Sequence, residues 1–334
     1  MNNKLLQQNN FRIFEKPNFS NLHIPIRTKV LRHPFDNNLF CADAEIIIKK
    51  GDGELDWFHG HSCNYDEIKA LDIAKIESIE RVLASKYFLK PYKKLYFYSI
   101  TDSSKVEFDY SQKHILRITK EVGSTGLSIH NTKEHAVDHG IREIIERHIL
   151  CEFWYKDRTL IKFKTEYFGS HFYIDYFTTH ESTNFVLAIL FERDTFVMFC
   201  GSSCKETLNA SIFSARGEAL LLSLQYISNK SNNNLVANKS DTLRRYQSLL
   251  VESNKFRINH VIIKTPNLNF KIDSNKKISN LELIQNLNLH TDSFSFSNIN
   301  SIEDFHLYKV KSYECLTKEF CRIKYSTFLE DPFC

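Results

Sequence analysis

The sequence predicts a mixed α/β fold in which long helices pack on β-sheets. Three observations carry this. Apolar runs of strand length alternate with long stretches free of Gly and Pro; aromatic residues are abundant, with 27 Phe and 15 Tyr; and no Gly-rich phosphate loop leads into any helix. With 334 residues, 42% of them hydrophobic, the chain can bury a large core, and we expect a single domain over residues 1–334.

The elements follow in order. Residues 1 to about 60 alternate short apolar runs (LHIPI, AEIIIKK) with Pro, Gly and Asp, the pattern of strands and turns. From Asp66 to Tyr87 neither Gly nor Pro interrupts, and Ile76, Ile79, Val82 and Leu83 recur at helical spacing, which predicts a first long helix. KKLYFYSI and KVEFDYS read as strands. Gly123 to His130 reads as a Gly/Ser loop, and Asn131 and Thr132, both good N-cap types, open a second helix from Lys133 to Tyr155. HFYIDYF, FVLAILF and DTFVMFC are aromatic strand candidates. GSSC then reads as a turn and Glu206 to Ser228 as a third helix. Residues 228–241 form a polar surface excursion. Beyond it NHVIIK, the Asn/Ser-rich stretch around residues 266–301, FHLYKVKS and EFCRIKYS read as strands separated by loops.

Composition excludes several classes of function. The net charge of +4, from 44 basic and 40 acidic residues, gives no field that would hold nucleic acid or an anionic membrane. Eight cysteines are scattered without a CxxC pair, as in reduced cytosolic thiols, and Cys200 and Cys204 lack the second pair that a zinc site would need. The start, MNNKLLQQNNFRIF, is polar, and nowhere do about 18 apolar residues run together. Secretion and membrane spanning are not expected, and the cytoplasm is the expected location.

Two of the expected helices carry the same signature: Glu77, Glu80 and Arg81 in KIESIERVL, and Glu143, Glu146 and Arg147 in IREIIERHI. Residues three and four apart share a helix face, so each set groups two carboxylates with a guanidinium. Small residues edge each stripe: Ala70 and Ala74 in the first, Ala136 and Gly140 in the second. One copy alone reads equally as an ion-pair motif on an amphipathic helix. Two matched copies point to four acids converging between helices, a hard-oxygen site suited to magnesium and, through it, to a nucleotide.

At this point the segment GSTGLSIHNTKEHAVDHGIREIIERHILCEFWY resembles the central signature of the YcaO family. HGHSCNYDEIKALDIAKIESIER resembles that family's first nucleotide helix, and GSSCKETLNASIFSARGEALLLSLQYI its third element, so residues 57–230 carry the likeness. The resemblance implies a YcaO-like fold with paired long helices packed on β-sheets and an ATP site between them. Glu77, Glu80, Glu143 and Glu146 match the magnesium-side acids, and Glu77 and Glu143 also border the nucleotide. Arg81 and Arg147 match the basic positions, Ser128 and Asn131 the polar loop, and Gln225 the end of the third motif. Three places depart from the family pattern. His135, beside Glu134, stands where an acid is usual, leaving an imidazole at one metal position. Glu218 and Leu222 stand where Arg and Glu are usual, with Arg216 nearby. The tail, EDPFC, has Pro332 alone where the family's tail is proline-rich.

The chemistry the resemblance implies is ATP-dependent, Mg2+-assisted activation of peptide-backbone amides, with cyclodehydration of Cys, Ser or Thr to azolines foremost. The nucleophile would then belong to the substrate, in keeping with the lack of a Ser-His-Asp or Cys-His arrangement. His139 reads either as a structural histidine or as a ligand-orienting one. A precursor peptide, an E1-like or leader-binding protein and a flavin dehydrogenase are the implied partners; a homodimer is left open. Thioamide or amidine formation on the same fold, and a non-catalytic scaffold, are the alternatives.

Overall fold

The computed structural model describes residues 26–49, 53–85, 94–111, 125–156, 158–193, 198–231, 274–302, 305–317 and 321. They form three strand-and-helix units. In the first, β1 (Arg27–His33), β2 (Asp36–Lys49) and β3 (Leu55–Asn64) make an antiparallel sheet followed by helix α1 (Glu67–Leu83). In the second, β4 (Lys94–Ser99), β5 (Lys105–Ser111) and β6 (Leu127–His130) precede helix α2 (Lys133–Lys156). Two late strands, β11 (Phe294–Ile302) and β12 (Phe305–Ser312), complete this sheet in the order β5-β4-β11-β12-β6. In the third, β7 (Ile161–Phe168), β8 (Phe172–Thr178), β9 (Phe185–Glu192) and β10 (Met198–Cys204) form an antiparallel meander followed by helix α3 (Leu208–Ser231). A short helix, α4 (Asn280–Asn286), precedes β11.

The units close into a cycle. Each helix packs on the strand just before it, α1 on β3, α2 on β6 and α3 on β10. Each also touches the corresponding strand of the next unit, α1 on β6, α2 on β10 and α3 on β3. The mixed α/β fold expected from the sequence is the one observed.

Local chemistry sets each strand-to-helix turn. The Asp66 carboxylate accepts from the N–H groups of Ile68 and Lys69 at 3.0 and 3.2 Å and caps α1. Thr132 accepts from His135 N–H at 3.3 Å, and Thr207 from Ala210 N–H at 3.2 Å, doing the same for α2 and α3. Behind the caps of α1 and α3, strand and helix come into backbone contact at a glycine. A Cβ at Gly60 would lie 2.0 Å from the Ala74 carbonyl oxygen, and one at Gly201 would lie 2.1 Å from that of Ala215. Two serines tie the same layers: the hydroxyls of Ser62 and Ser128 donate to the carbonyls of Ala70 and Ala136.

The largest apolar cluster joins α2, through Ile141, Ile145, Ile149 and Phe153, to Leu187 and Ile189 of β9 and to Val310 of β12. Between the third and first units the seam includes polar links. Arg216 of α3 donates through Nε and Nη2 to the Glu166 carboxylate of β7 and pairs with Asp36 at 3.0 Å. His33 Nε2 donates to the Leu220 carbonyl at 3.1 Å. Among the described residues no helix is long and apolar enough to cross a membrane.

Three expectations are corrected. GSSC, read as a turn, is the second half of β10, and residues 127–130, read as loop, are β6. Their Gly and Ser residues serve close helix approach instead of chain reversal. Within the stretch read as strands around residues 266–301, α4 is helical, because Ser279 and Glu282 form a capping box and Leu283 and Ile284 are buried. The long helices keep their expected places, with α1 ending at Leu83 instead of Tyr87. NHVIIK, the closing EDPFC with Pro332, most of EFCRIKYS and most of the polar tract after Ser231 lie outside the described residues.

Gly60→Ala and Gly201→Ala should each destabilise the protein by about 1–3 kcal/mol or more, since the atom met is backbone and cannot rotate away. Thermal and urea unfolding of each variant against the wild-type chain measures the difference.

Candidate nucleotide and magnesium site

The glycine contacts place three carboxylates in matching positions. Glu77, Glu143 and Glu218 each lie seventeen residues after the glycine of their unit (60 to 77, 126 to 143, 201 to 218). Each carboxylate reaches back to the strand behind it: Glu77 Oε2 accepts from His61 N–H at 2.7 Å, Glu143 from Gly126 N–H at 3.1 Å, and Glu218 from Ser202 N–H at 2.8 Å. A Gly-x-Ser stretch on the strand recurs in all three: Gly60 to Ser62, Gly126 to Ser128, and Gly201 to Ser203.

The second acid of each signature bridges to the next unit. Glu80 Oε2 accepts from Ile129 N–H of β6 at 3.1 Å, and Glu146 Oε1 from the Ser202 hydroxyl of β10 at 2.6 Å. The third helix breaks the pattern, with Leu221 and Leu222 where Glu and Arg stand in the other two.

Five acids therefore meet where the units converge, and their ionisation records it. Burial pushes Glu80 up to about 8, reinforced by repulsion from Glu143 and Glu77. Burial likewise raises Glu143 to about 7 against the pull of Arg147, with Glu146 adding to the rise. Glu218 is pushed by burial to about 7; Arg147 offsets part of this, and Glu146 and Glu77 repel it. Arg147 thus acts on both Glu143 and Glu218. Lys309 of β12, whose ammonium donates to the Thr125 carbonyl, adds positive charge beside Glu143. Arg81 is ion-paired with Glu77.

The other sequence-selected residues divide. Ser128 is buried with its hydroxyl given to the Ala136 carbonyl, so in this structure it fastens β6 to α2. Asn131 is exposed just after β6, and the capping of α2 falls to Thr132. His135 is exposed on the first turn of α2, edge-on to His130 with ring centroids 4.6 Å apart. Gln225 lies within α3, and its side chain is outside the described residues. Arg216 is committed to Glu166 and Asp36 and so belongs to the seam. Glu218 and Lys309 were not selected. The signal for Glu218 was present in the spacing: small residues stand seven and three before it, Ser211 and Ala215, as Ala70 and Ala74 do before Glu77. Lys309 had none, because only the late strand β12 brings it beside Glu143.

The donor set fits a magnesium–nucleotide group. Burial and mutual repulsion disfavour the charge of carboxylates raised to about 7 or 8, and a hard divalent ion with phosphate oxygens takes that kind of ligand.

A family model described as YcaO cyclodehydratase, ATP- and Mg2+-binding, matches residues 90–258, half of the chain. The chain belongs to the YcaO family. Its α2 and α3 acids fall inside the matched span, whereas α1, with Glu77 and Glu80, lies before it. Among solved structures, the YcaO from Methanopyrus kandleri bound with AMPPCP and Mg2+ aligns with a TM-score of 0.60 at 12% identity, over 92% of this chain and 90% of that one. A heterocyclase in complex with substrate and cofactor aligns with a TM-score of 0.64 at 12% identity, over 92% of this chain and 53% of its own length. The Escherichia coli microcin synthetase McbBCD complex with pro-MccB17 bound aligns with a TM-score of 0.58 at 11% identity, over 92% and 96%. At these identities the likeness is one of fold. No curated protein matches by sequence. The YcaO assignment makes the chain an ATP-dependent enzyme with Mg2+ as its metal.

In the unfolded chain these glutamates titrate near 4.5, and in the fold near 7 to 8, so between those values the folded protein holds more protons. Their contribution to stability therefore falls as pH rises from about 4.5 to about 8 and is level above that. Urea unfolding in chelator across this range should show that decline. A variant with Glu80, Glu143 and Glu218 all replaced by Gln should lack it, the difference between the two slopes being the measured quantity.

Proposed function

We propose that this YcaO chain activates backbone amides of a ribosomally made peptide, and that its principal reaction is cyclodehydration of Cys, Ser or Thr to azolines. The supporting observation is the meeting of five carboxylates, Glu77, Glu80, Glu143, Glu146 and Glu218, with Arg147 and Lys309 among them. The family resemblance and the partner-bearing relatives support the peptide substrate. In this reading the chain is one domain working in the cytoplasm, with a separate leader-binding or E1-like partner delivering the precursor and a flavin dehydrogenase as a further companion.

The roles follow from position. Glu80, Glu143, Glu146 and Glu218 would hold Mg2+ ions, and Glu77 would do so from the rim, where Arg81 and the His61 N–H orient it. ATP supplies the phosphoryl group that turns an amide oxygen into a leaving group, with Mg2+ neutralising charge on the phosphates. Arg147 lies where it would face phosphate oxygens, and Lys309 would balance Glu143 once that acid ionises. Asn131 and Gln225 remain nucleotide-side candidates. His135, at the rim of α2, would bind a hard cation more weakly than a carboxylate would. The partial burial of the acids would strengthen their attraction to the cations.

With its precursor peptide, partner protein and Mg-ATP, the wild-type chain should release ADP in step with loss of water from the peptide. Glu143→Ala and Glu218→Ala should each lower turnover by at least about 100-fold while keeping the fold by circular dichroism. Peptide mass gain matching oxygen-to-sulfur exchange would move the reaction to thioamide formation. ADP release equal in wild type and both variants would remove the catalytic reading.

A further inference from the structure

The first sheet carries metal-ligating side chains that the five acids do not use. Ala42, Ala44, Gly60 and Ser62 face α1. Alternation along β2 and β3 therefore turns Asp43, Glu45, His59 and His61 to the opposite face. The strand register sets Asp43 directly across from His61, and Glu45 across from His59. Asp43 Oδ1 lies 3.3 Å from His61 Nδ1 and 3.6 Å from His59 Nδ1, yet it is shielded from solvent and accepts no hydrogen bond. One ligand atom from each of Asp43, His59 and His61 lies within 4.8 Å of the others. Stacking holds the rings: the imidazoles are nearly parallel with centroids 5.9 Å apart, and Trp57 stacks on His59 at 6.3 Å.

We propose that Asp43, His59 and His61 form a second metal site, for a first-row transition dication of the zinc class. A tetrahedral ion with bonds of about 2.0–2.1 Å sets its donor atoms about 3.3–3.4 Å apart. The two Asp43–imidazole spacings already stand close to that separation. Two imidazoles favour Zn2+ and its neighbours over Mg2+ and Ca2+, which take oxygen. Glu45 completes the surroundings: its Oε1 is 3.7 Å from His59 Nε2, placed to receive the ring N–H and so leave Nδ1 for the metal. Arg27, 3.5 Å from Glu45 Oε2, steadies that carboxylate. His59 and His61 keep more than a third of their side-chain surface exposed, so the fourth coordination position is open to water or a ligand. The site stands independently of the amide-activation reading, because none of its three ligands is among the five acids.

One neighbour competes for the same metal. Cys41 and Cys63 pair across the same two strands with sulfurs 2.9 Å apart, and thiolates also take zinc.

The test uses the full chain, metal-free, titrated with Zn2+ and with Co2+ as a spectroscopic stand-in, under saturating Mg2+. Expected are stoichiometric binding, a Co2+ spectrum without a thiolate charge-transfer band, and affinity at least about tenfold weaker in His59→Ala and His61→Ala. The double variant Cys41→Ser/Cys63→Ser and the double variant Glu80→Gln/Glu143→Gln should bind as wild type. Thermal melts of the apo proteins separate lost ligands from lost folding. Absence of stoichiometric binding, a thiolate band, loss in either double variant, or unchanged affinity in both histidine variants would overturn the proposal. The first of these outcomes would leave a cross-strand ladder of ion pairs and nothing more.

Discussion

Backbone contact between strand and helix is the constraint on which the site depends. Where Gly60 meets Ala74 and Gly201 meets Ala215, the helix lies too close for any side chain on the strand. The next side chain along the helix able to pass the strand is a glutamate, which folds back onto a strand N–H. At Gly126 the backbone is in the left-handed region, with φ of 77°, and the space a Cβ would need is taken by Val310 and Ile144. Two matching contacts and a variant at Gly126 thus deliver three acids to one place. Convergence follows because each helix also rests on the following unit's strand.

The acids are costly to keep without a cation. Desolvation raises three of them far enough to hold protons near neutrality, and the remaining hydrogen bonds and the arginine relieve only part of the cost. Rigid backbone donors keep the carboxylates apart and aimed, which a cluster on loops would not. The fold therefore holds this repulsion in place, and in the proposed reading a divalent cation would relieve it with release of the protons.

Much of this was legible in the sequence, and the rest was hidden for definite reasons. The helices and the two Glu-x-x-Glu-Arg sets were readable, since helical periodicity and matched small residues are local signals. Glu218 escaped because its helix lacks the accompanying acid and arginine, so alignment by signature placed it at a departure from the pattern. The strand character of residues 127–130 and 201–204 escaped because Gly and Ser usually mark turns, whereas here they admit a helix. Lys309 depends on the pairing of β12 with the distant β6, and the Asp43–His61 pairing on the register between β2 and β3, which no local pattern encodes.

The broken third copy leaves the threefold arrangement asymmetric in its acids. At the seams from α1 to β6 and from α2 to β10, a glutamate crosses to the neighbouring strand. At the seam from α3 to β3 the equivalent residue is Leu221. Leu222 and Cys63 pack there against the apolar cluster of the third unit, and a Cβ on Gly217 would lie 3.3 Å from Cys63 Cβ. That seam combines this apolar contact with the pairing of Arg216 to Glu166 and Asp36. A sixth acid there would add repulsion to the five, and in the first unit His61 N–H is already taken by Glu77. Acidic bridges therefore occur at two seams and not at the third, so the five carboxylates are distributed asymmetrically around the cycle of units.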